Sequence, residues 1–309
     1  MHAAPSKTPR VGTLENIEPV TDSFQVHYRH PCGNLYQGDS VEWLKSLPPE
    51  SVDLVFADPP YNIKKADWDN FKSQEQYIEW SLRWIEPAAR ALKPSGSLYI
   101  CGFSEILADL KHPASRFFQS CRWLVWHYKN KANLGRDWGR SHESILHLRR
   151  SNAFKLNIDA ARIPYGAHTL KYPAHPQAAT SQYGKGQGPR DNWTPNPLGA
   201  KPRDVLEIPT TCNGMGEKTP HPTQKPEELL RRLVLAASSE GDLVIDPFSG
   251  SGTTLTVAQQ LCRRWAACDI NAEYNSWAVE RVEGVVPQRS IDEWMALDRA
   301  TALRRHSIR

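Results

Sequence analysis

The chain has 309 residues, and at roughly 150 residues per domain it holds two domains, or one large α/β domain with an insertion. Its apolar fraction of 39 % excludes disorder throughout, and no uncharged apolar run approaches the ~18 residues of a membrane-spanning helix. A net charge of +4 is weak for this length, and beside 11 Trp and 24 Pro it admits a nucleic-acid partner without demanding one.

In chain order, residues 1–30 read as a polar lead-in. MHAAPSKTPRVGT at its start has no apolar stretch, so no secretory signal is expected there. The six cysteines form no CxxC pair, so neither a metal site nor a disulfide framework is expected, and a reducing, cytoplasmic setting fits. Asp39 to Leu47 reads as a short helix broken by Pro48-Pro49. VDLVFA (52–57) is a β-branched apolar run, hence a buried strand, and it stops at Asp58-Pro59-Pro60. Apolar residues from Tyr77 to Leu92 recur at helical spacing, predicting a helix over 75–92 that Lys93-Pro94-Ser95-Gly96 ends. SLYICGF (97–103), WLVWHYK (123–129) and SILHL (144–148) read as strands.

The texture changes near residue 151. Residues 151–219 hold eight Pro and seven Gly with few apolar runs, which marks an insertion or a set of functional loops. Regular texture returns with a helix over 226–239, the strand DLVIDPF, a helix over 253–262, the strand WAACDI (265–270) and a helix from Ala272. Strand–helix alternation on both sides of the insertion predicts one doubly wound, mostly parallel sheet.

Two strand ends carry chemistry. Asp246-Pro247-Phe248-Ser249-Gly250-Ser251-Gly252 lies between a buried strand and a helix, where α/β folds bind ligands. Its glycines permit a tight turn, and the next strand ends in Asp269, an acid placed to accept from ribose hydroxyls. The turn lacks the third glycine of a dinucleotide fingerprint and the lysine of a P-loop, so the expected ligand is a nucleoside without a pyrophosphate clamp. At the other end, Asp58-Pro59-Pro60-Tyr61 sets a carboxylate, a rigid carbonyl and an aromatic ring within four residues. Such a set can hold a flat heterocycle by stacking while two oxygens accept from its NH2 group. A solvated linker for the insertion, and plain punctuation for either turn, are the competing readings.

DPPYNIKKADWDNF, then HPTQKP (221–226), then DPFSGSGTT (246–254) resemble, in type and order, the β-class amino-methyltransferases of DNA, over about residues 33–285. The resemblance implies a Rossmann-like methyltransferase sheet over 31–150 and 211–290. An irregular target-recognition region fills 151–210, and a C-terminal tail covers 291–309. It implies S-adenosylmethionine as cofactor and double-stranded DNA as partner, and it admits a cognate restriction nuclease and a homodimer but no membrane. Asp58 and the Pro59 carbonyl would accept from the target amino group, Pro60 would stiffen them, and Tyr61 would stack on a flipped base. Phe248, Ser249, Gly250 and Gly252, after Asp246, would wrap the methionine end of the cofactor. Asp269 would hold its ribose, and Asp39 and Ser40 would lie near its adenine. His221, Thr223 and Lys225 would line its methionine moiety, with Lys225 facing the carboxylate.

Lys171, Lys185, Arg190, Lys201 and Arg203 are the candidate DNA contacts, and GAKPRDVLEIP (199–209) resembles a segment that returns the chain to the catalytic sheet, which gives Arg203 a structural alternative. Trp68 and Phe71 are divided between the base and ordinary packing. The initial Asp favours adenine N6 over cytosine N4. A DNA-binding protein without catalysis and a nicotinamide-dependent dehydrogenase are the rival classes; the intact motifs oppose the first, and the missing glycine and the DPPY segment oppose the second.

Overall fold

The computed structural model describes residues 23–61, 71–130, 136, 138–171 and 194–285. Trp68, Lys185 and Arg190 lie outside the described residues. Among the described residues nine strands form one sheet in the order β1-β2-β9-β8-β3-β4-β6-β5-β7. They are β1 (Phe24–His30), β2 (Gly33–Gly38), β3 (Val52–Ala57), β4 (Leu92–Gly102), β5 (Ser120–His127), β6 (His142–Arg149), β7 (Val205–Glu207), β8 (Leu243–Asp246) and β9 (Arg264–Asp269). From β2 through β4 every neighbouring pair is parallel, while β1 pairs antiparallel with β2, and β6 antiparallel with both β4 and β5.

Both faces of the sheet are covered, which is why the central strands read as unbroken apolar runs rather than alternating ones. All six residues of β3 are buried. Val55 and Ala57 join a core under α1 (Ser40–Ser46), α2 (Gln74–Ala91) and α3 (Ser104–Ala114), built around Trp43, Trp84 and Leu107. Leu54 and Phe56 point the other way, into a core with Leu230, Val257 and Ala278 from α5 (Glu227–Ala237), α6 (Thr253–Gln260) and α7 (Ala272–Glu283). From the adjacent strands β3 and β8 the chain runs on in opposite directions across the sheet, to β4 and to β9. That divergence leaves a crevice outside the carboxyl ends of both.

The predicted strands and helices recur with small shifts, and four differences have plain causes. The polar lead-in gives way at Phe24 to β1, an edge strand in which only Phe24 is buried, so its apolar signal is weak. Lys93-Pro94-Ser95-Gly96 does not separate helix from strand. It bulges within β4, where pairing jumps from Val52↔Leu92 to Leu54↔Ser97. Helix α3 was hidden by Pro113 in its last turn and by a narrow buried stripe of Leu107, Leu110 and Ala114. Inside the irregular segment, β7 pairs in parallel with β5 and the Ile208 carbonyl accepts from Trp126 Nε1 at 2.8 Å, so 205–208 does return to the sheet. A five-residue helix, α4 (Ala167–Lys171), also lies in that segment.

Candidate active site

The crevice is walled by the turns after β3, β8 and β9, by the segment 221–225 and by the start of α1. Asp58, Pro60, Asp39, Ser40, His221, Thr223, Lys225, Asp246, Phe248, Ser249, Gly250 and Asp269 all line it. The DPPY segment, the glycine-rich turn and Asp269 meet in one cleft because β3, β8 and β9 are consecutive in the sheet and end on the same side, and residues of 221–225 line it from the segment before α5.

The turn after β8 is held rigidly. Gly250 and Gly252 have φ of +49° and +77°, which L side chains rarely adopt. A Cβ on Gly250 would come within 2.9 Å of His221 Nε2, and one on Gly252 within 2.6 Å of Ala278 Cβ. Asp246 accepts from Phe248 N at 2.9 Å and from Thr254 Oγ1 at 2.5 Å; burial pushes its carboxyl up to about 7 against the lowering effect of those bonds. Asp269 accepts from Gly250 N at 2.8 Å and Asn271 N at 2.9 Å, and burial raises its carboxyl too. Its carboxylate therefore braces the turn while still lining the cleft. Phe248 packs on Trp80 and Trp84 of α2, with ring centroids at 5.8 and 5.3 Å.

Other expected residues are engaged as follows. Asp39 caps α1, accepting from Val41 N at 2.7 Å and Glu42 N at 3.0 Å, and Ser40 Oγ donates to the Pro247 carbonyl. His221 accepts from Thr223 N at 3.3 Å and packs edge-on to Tyr274; burial pushes its imidazole down to about 4, so it is neutral at neutral pH. Phe71 packs against Tyr77 and Trp80 at 5.2 and 5.1 Å, which places it in the aromatic packing on α2. Lys171, Lys201 and Arg203 are exposed.

The Asp58 side is ionic. Lys225 Nζ donates to Asp58 Oδ2 at 2.7 Å and lies 3.5 Å from Glu143 Oε2. Tyr61 OH lies 2.6 Å from Asp58 Oδ1 and 3.1 Å from Glu143 Oε2. Side-chain exposure is 7 % for Lys225, 17 % for Asp58 and 15 % for Glu143, so these charges depend on one another. Burial alone would lower the Lys225 ammonium, but Asp58 and Glu143 hold it above the usual lysine value. Burial and the two carboxylates push the Tyr61 phenol well above its ordinary range.

Two of the expected residues are engaged within the chain. The Lys225 ammonium faces carboxylates of its own chain, because a lysine this buried needs a counter-ion. The Tyr61 ring sits 5.0 Å from Phe103 at 65°, with Lys225 Nζ 5.3 Å from its centre. Glu143 was missed altogether. It stands at the start of β6, and no spacing ties it to the DPPY segment.

The cleft suits a nucleoside joined to a polar, charged tail. It joins a braced acid at Asp269 to an apolar wall at Phe248, and the buried Ser249 hydroxyl on its lining has no partner among the described residues.

Residues 52–280 match the DNA methylase family. Type II methyltransferase M1.MboII of Moraxella bovis is 32 % identical over 253 residues, covering 78 % of this chain and 92 % of that protein. DNA adenine methyltransferase YhdJ of Escherichia coli strain K12 is 33 % identical over 256 residues, covering 81 % and 82 %. Among solved structures, the cytosine-N4-specific PvuII DNA methyltransferase shares the fold with a TM-score of 0.63 at 20 % identity, over 87 % of this chain and 92 % of that one. The M1.HpyAVI–SAM complex does so with a TM-score of 0.52 at 22 % identity, over 81 % and 99 %.

The doubly wound sheet with this cleft is that of a Rossmann-like methyltransferase, and the chain belongs to the N6/N4 family of DNA methylases. It is an S-adenosylmethionine-dependent DNA amino-methyltransferase. Among the described residues no helix is long and apolar enough to cross a membrane.

Proposed function

We propose that this chain methylates the exocyclic amino nitrogen of a base flipped out of double-stranded DNA, with adenine N6 the favoured target and cytosine N4 the alternative. The observation that carries the reading is the shared cleft: Asp58 lines the same space as Ser249, Gly250, Ser251 and Asp269. An acceptor for an amino group thus lies beside a nucleoside site.

The target NH2 is a poor nucleophile because its lone pair is delocalised into the ring. Asp58 and the Pro59 carbonyl draw on its two hydrogens, localise the lone pair and aim it; alignment and fixed acceptors are worth more here than covalent chemistry. Pro60 fixes the backbone that presents them. S-adenosylmethionine supplies an already activated methyl on a sulfonium. Asp269 would hold its ribose, Asp39 and Ser40 would border its adenine, and Phe248, Ser249, Gly250, Gly252, Asp246, His221 and Thr223 would surround its methionine end. An amino group inside a duplex cannot reach a cleft at strand ends, so flipping is part of the proposal, at an unstacking cost of a few kcal/mol. Adenine is favoured by the initial Asp of the DPPY segment and by the relative YhdJ, a DNA adenine methyltransferase.

Residues 151–210 are proposed as the target-recognition region, with Lys171, Lys185, Arg190 and Lys201 toward phosphates or base edges. Arg203, two residues before β7, also has the structural alternative. The domain limits 31–150 with 211–290, and the tail 291–309, go with that reading. The type II names of several relatives support a restriction nuclease as a cognate partner. Nucleoside mass spectrometry on DNA from an expressing host lacking its own methylases tests the proposal. N6-methyladenine is the expected product, N4-methylcytosine moves the reading to the alternative, and neither base overturns it.

A further inference from the structure

Each oxygen of Asp58 already accepts one hydrogen bond. Tyr61 OH occupies Oδ1 at 2.6 Å, and Lys225 Nζ occupies Oδ2 at 2.7 Å. A carboxylate so engaged is a weakened acceptor for an incoming amino group. Each of its two partners, however, also lies within reach of the same second acceptor: Glu143 Oε2 is 3.1 Å from Tyr61 OH and 3.5 Å from Lys225 Nζ. The phenol has one proton for two carboxylate oxygens, and it can satisfy only one well at a time. The lysine is almost wholly buried and cannot be left without a counter-ion. Glu143 itself is fixed at the start of β6, opposite Trp126 of β5, in the antiparallel ladder beside β4.

We propose that Glu143 is a positioning residue: it takes over the Tyr61 hydroxyl and the Lys225 ammonium when the target base arrives, and so frees Asp58 to accept from the amino group. Resting on the methyl-transfer reading above, this assigns Glu143 a part that neither the DPPY segment nor the glycine-rich turn can play. The exchange costs little because both ends are carboxylates within reach of the same two donors. Lys225 keeps a carboxylate partner throughout, and only the shorter bond changes sides. The hydroxyl of Tyr61 is then a competitor for Asp58 that Glu143 holds off.

The competition gives a signature that a merely structural role would not. Single-turnover transfer of tritiated methyl from S-adenosylmethionine to amplified, unmodified bacterial genomic DNA is measured for the wild type, Glu143→Gln, Tyr61→Phe and the double variant. Calorimetric titration with S-adenosylmethionine reports that each is folded, and Glu143→Asp takes the place of E143Q should that variant fail to bind. E143Q slows transfer by about tenfold or more while cofactor affinity stays within about threefold. Removing the competing hydroxyl in that background restores part of the rate, so the double variant is faster than E143Q alone. A loss smaller than tenfold, or a double variant no faster than E143Q, overturns the hand-over while leaving the methyl-transfer reading intact. A wild type that moves no label overturns that reading and this inference together.

Discussion

Two sides of the cleft lie next to one another and are built on opposite plans. After β8 and β9, the carboxylates of Asp246 and Asp269 accept backbone amides and a threonine hydroxyl at 2.5–2.9 Å, and the turn they brace is packed so closely that Gly250 and Gly252 leave no room for a Cβ. After β3, Asp58 holds side chains instead, a lysine and a phenol that each have a second carboxylate at hand. Backbone amides cannot change partners without moving the chain, whereas side chains exchange with a rotamer change. A fixed site suits a cofactor bound the same way in every cycle. An exchangeable one suits a base that must be admitted, aligned and released.

The largest effect that separates the two regions is on Asp58. Asp58→Ala lowers single-turnover methyl transfer by ~10²–10³ or more, the cost of a lost electrostatic acceptor at the reacting atoms. A rate near that of the wild type breaks the assignment. Next comes the rigidity of the turn. Gly252→Ala forces a φ of +77° on an L residue and drives its Cβ to 2.6 Å from Ala278 Cβ, so unfolding experiments show a loss of about 3 kcal/mol together with weaker cofactor binding. Asp269→Ala sharpens the comparison from the same side: calorimetry gives S-adenosylmethionine binding weaker by about 1–3 kcal/mol, since a charged acceptor and a brace of the turn are both lost.

The smallest effect is a control placed outside both regions. His147 on β6 is buried, stacked on Tyr99 at 4.4 Å and 3.0 Å from Ser97 Oγ, and burial followed by Arg149 pushes its imidazole down to about 3. The unfolded chain takes up a proton there near pH 6.5 and the folded chain does not, so His147 costs the fold stability progressively as pH falls from 6.5 toward 3. Asp246 acts with the opposite sign, because its carboxyl is raised: the folded chain binds that proton first, and stability gained at low pH is lost as pH rises toward 7. Comparing denaturant unfolding at pH 7 and pH 5, His147→Gln shifts the difference by about 2 kcal/mol in favour of stability at pH 5 relative to the wild type. An unchanged difference between the two pH values contradicts a neutral buried His147.

Much of this contrast was legible in the sequence, and unevenly so. The fixed turn announces itself because all its parts are local: a buried strand, two glycines at positive φ, a helix and an acid one strand further on. Asp58 was legible for the same reason, standing at the end of VDLVFA with prolines after it. The partners of Asp58 were harder. Lys225 was found through HPTQKP, whereas its burial against two carboxylates is a tertiary fact that the motif does not carry. Glu143 reaches the cluster only because β6 runs antiparallel beside β4, a pairing that periodicity does not encode. Strand β1 escaped because an edge strand buries one residue in seven, while β7, three residues without a pattern, was reached only through the resemblance of 199–209.

The division between a fixed cofactor side and an exchangeable reacting side is tested most directly by one titration. Calorimetry of Asp58→Ala with S-adenosylmethionine, without DNA, measures whether the reacting carboxylate also builds the cofactor site. An affinity within about tenfold of the wild type, in a variant that no longer transfers methyl, is the predicted result. Loss of cofactor binding in that variant would contradict the division and make the two strand ends one interdependent site.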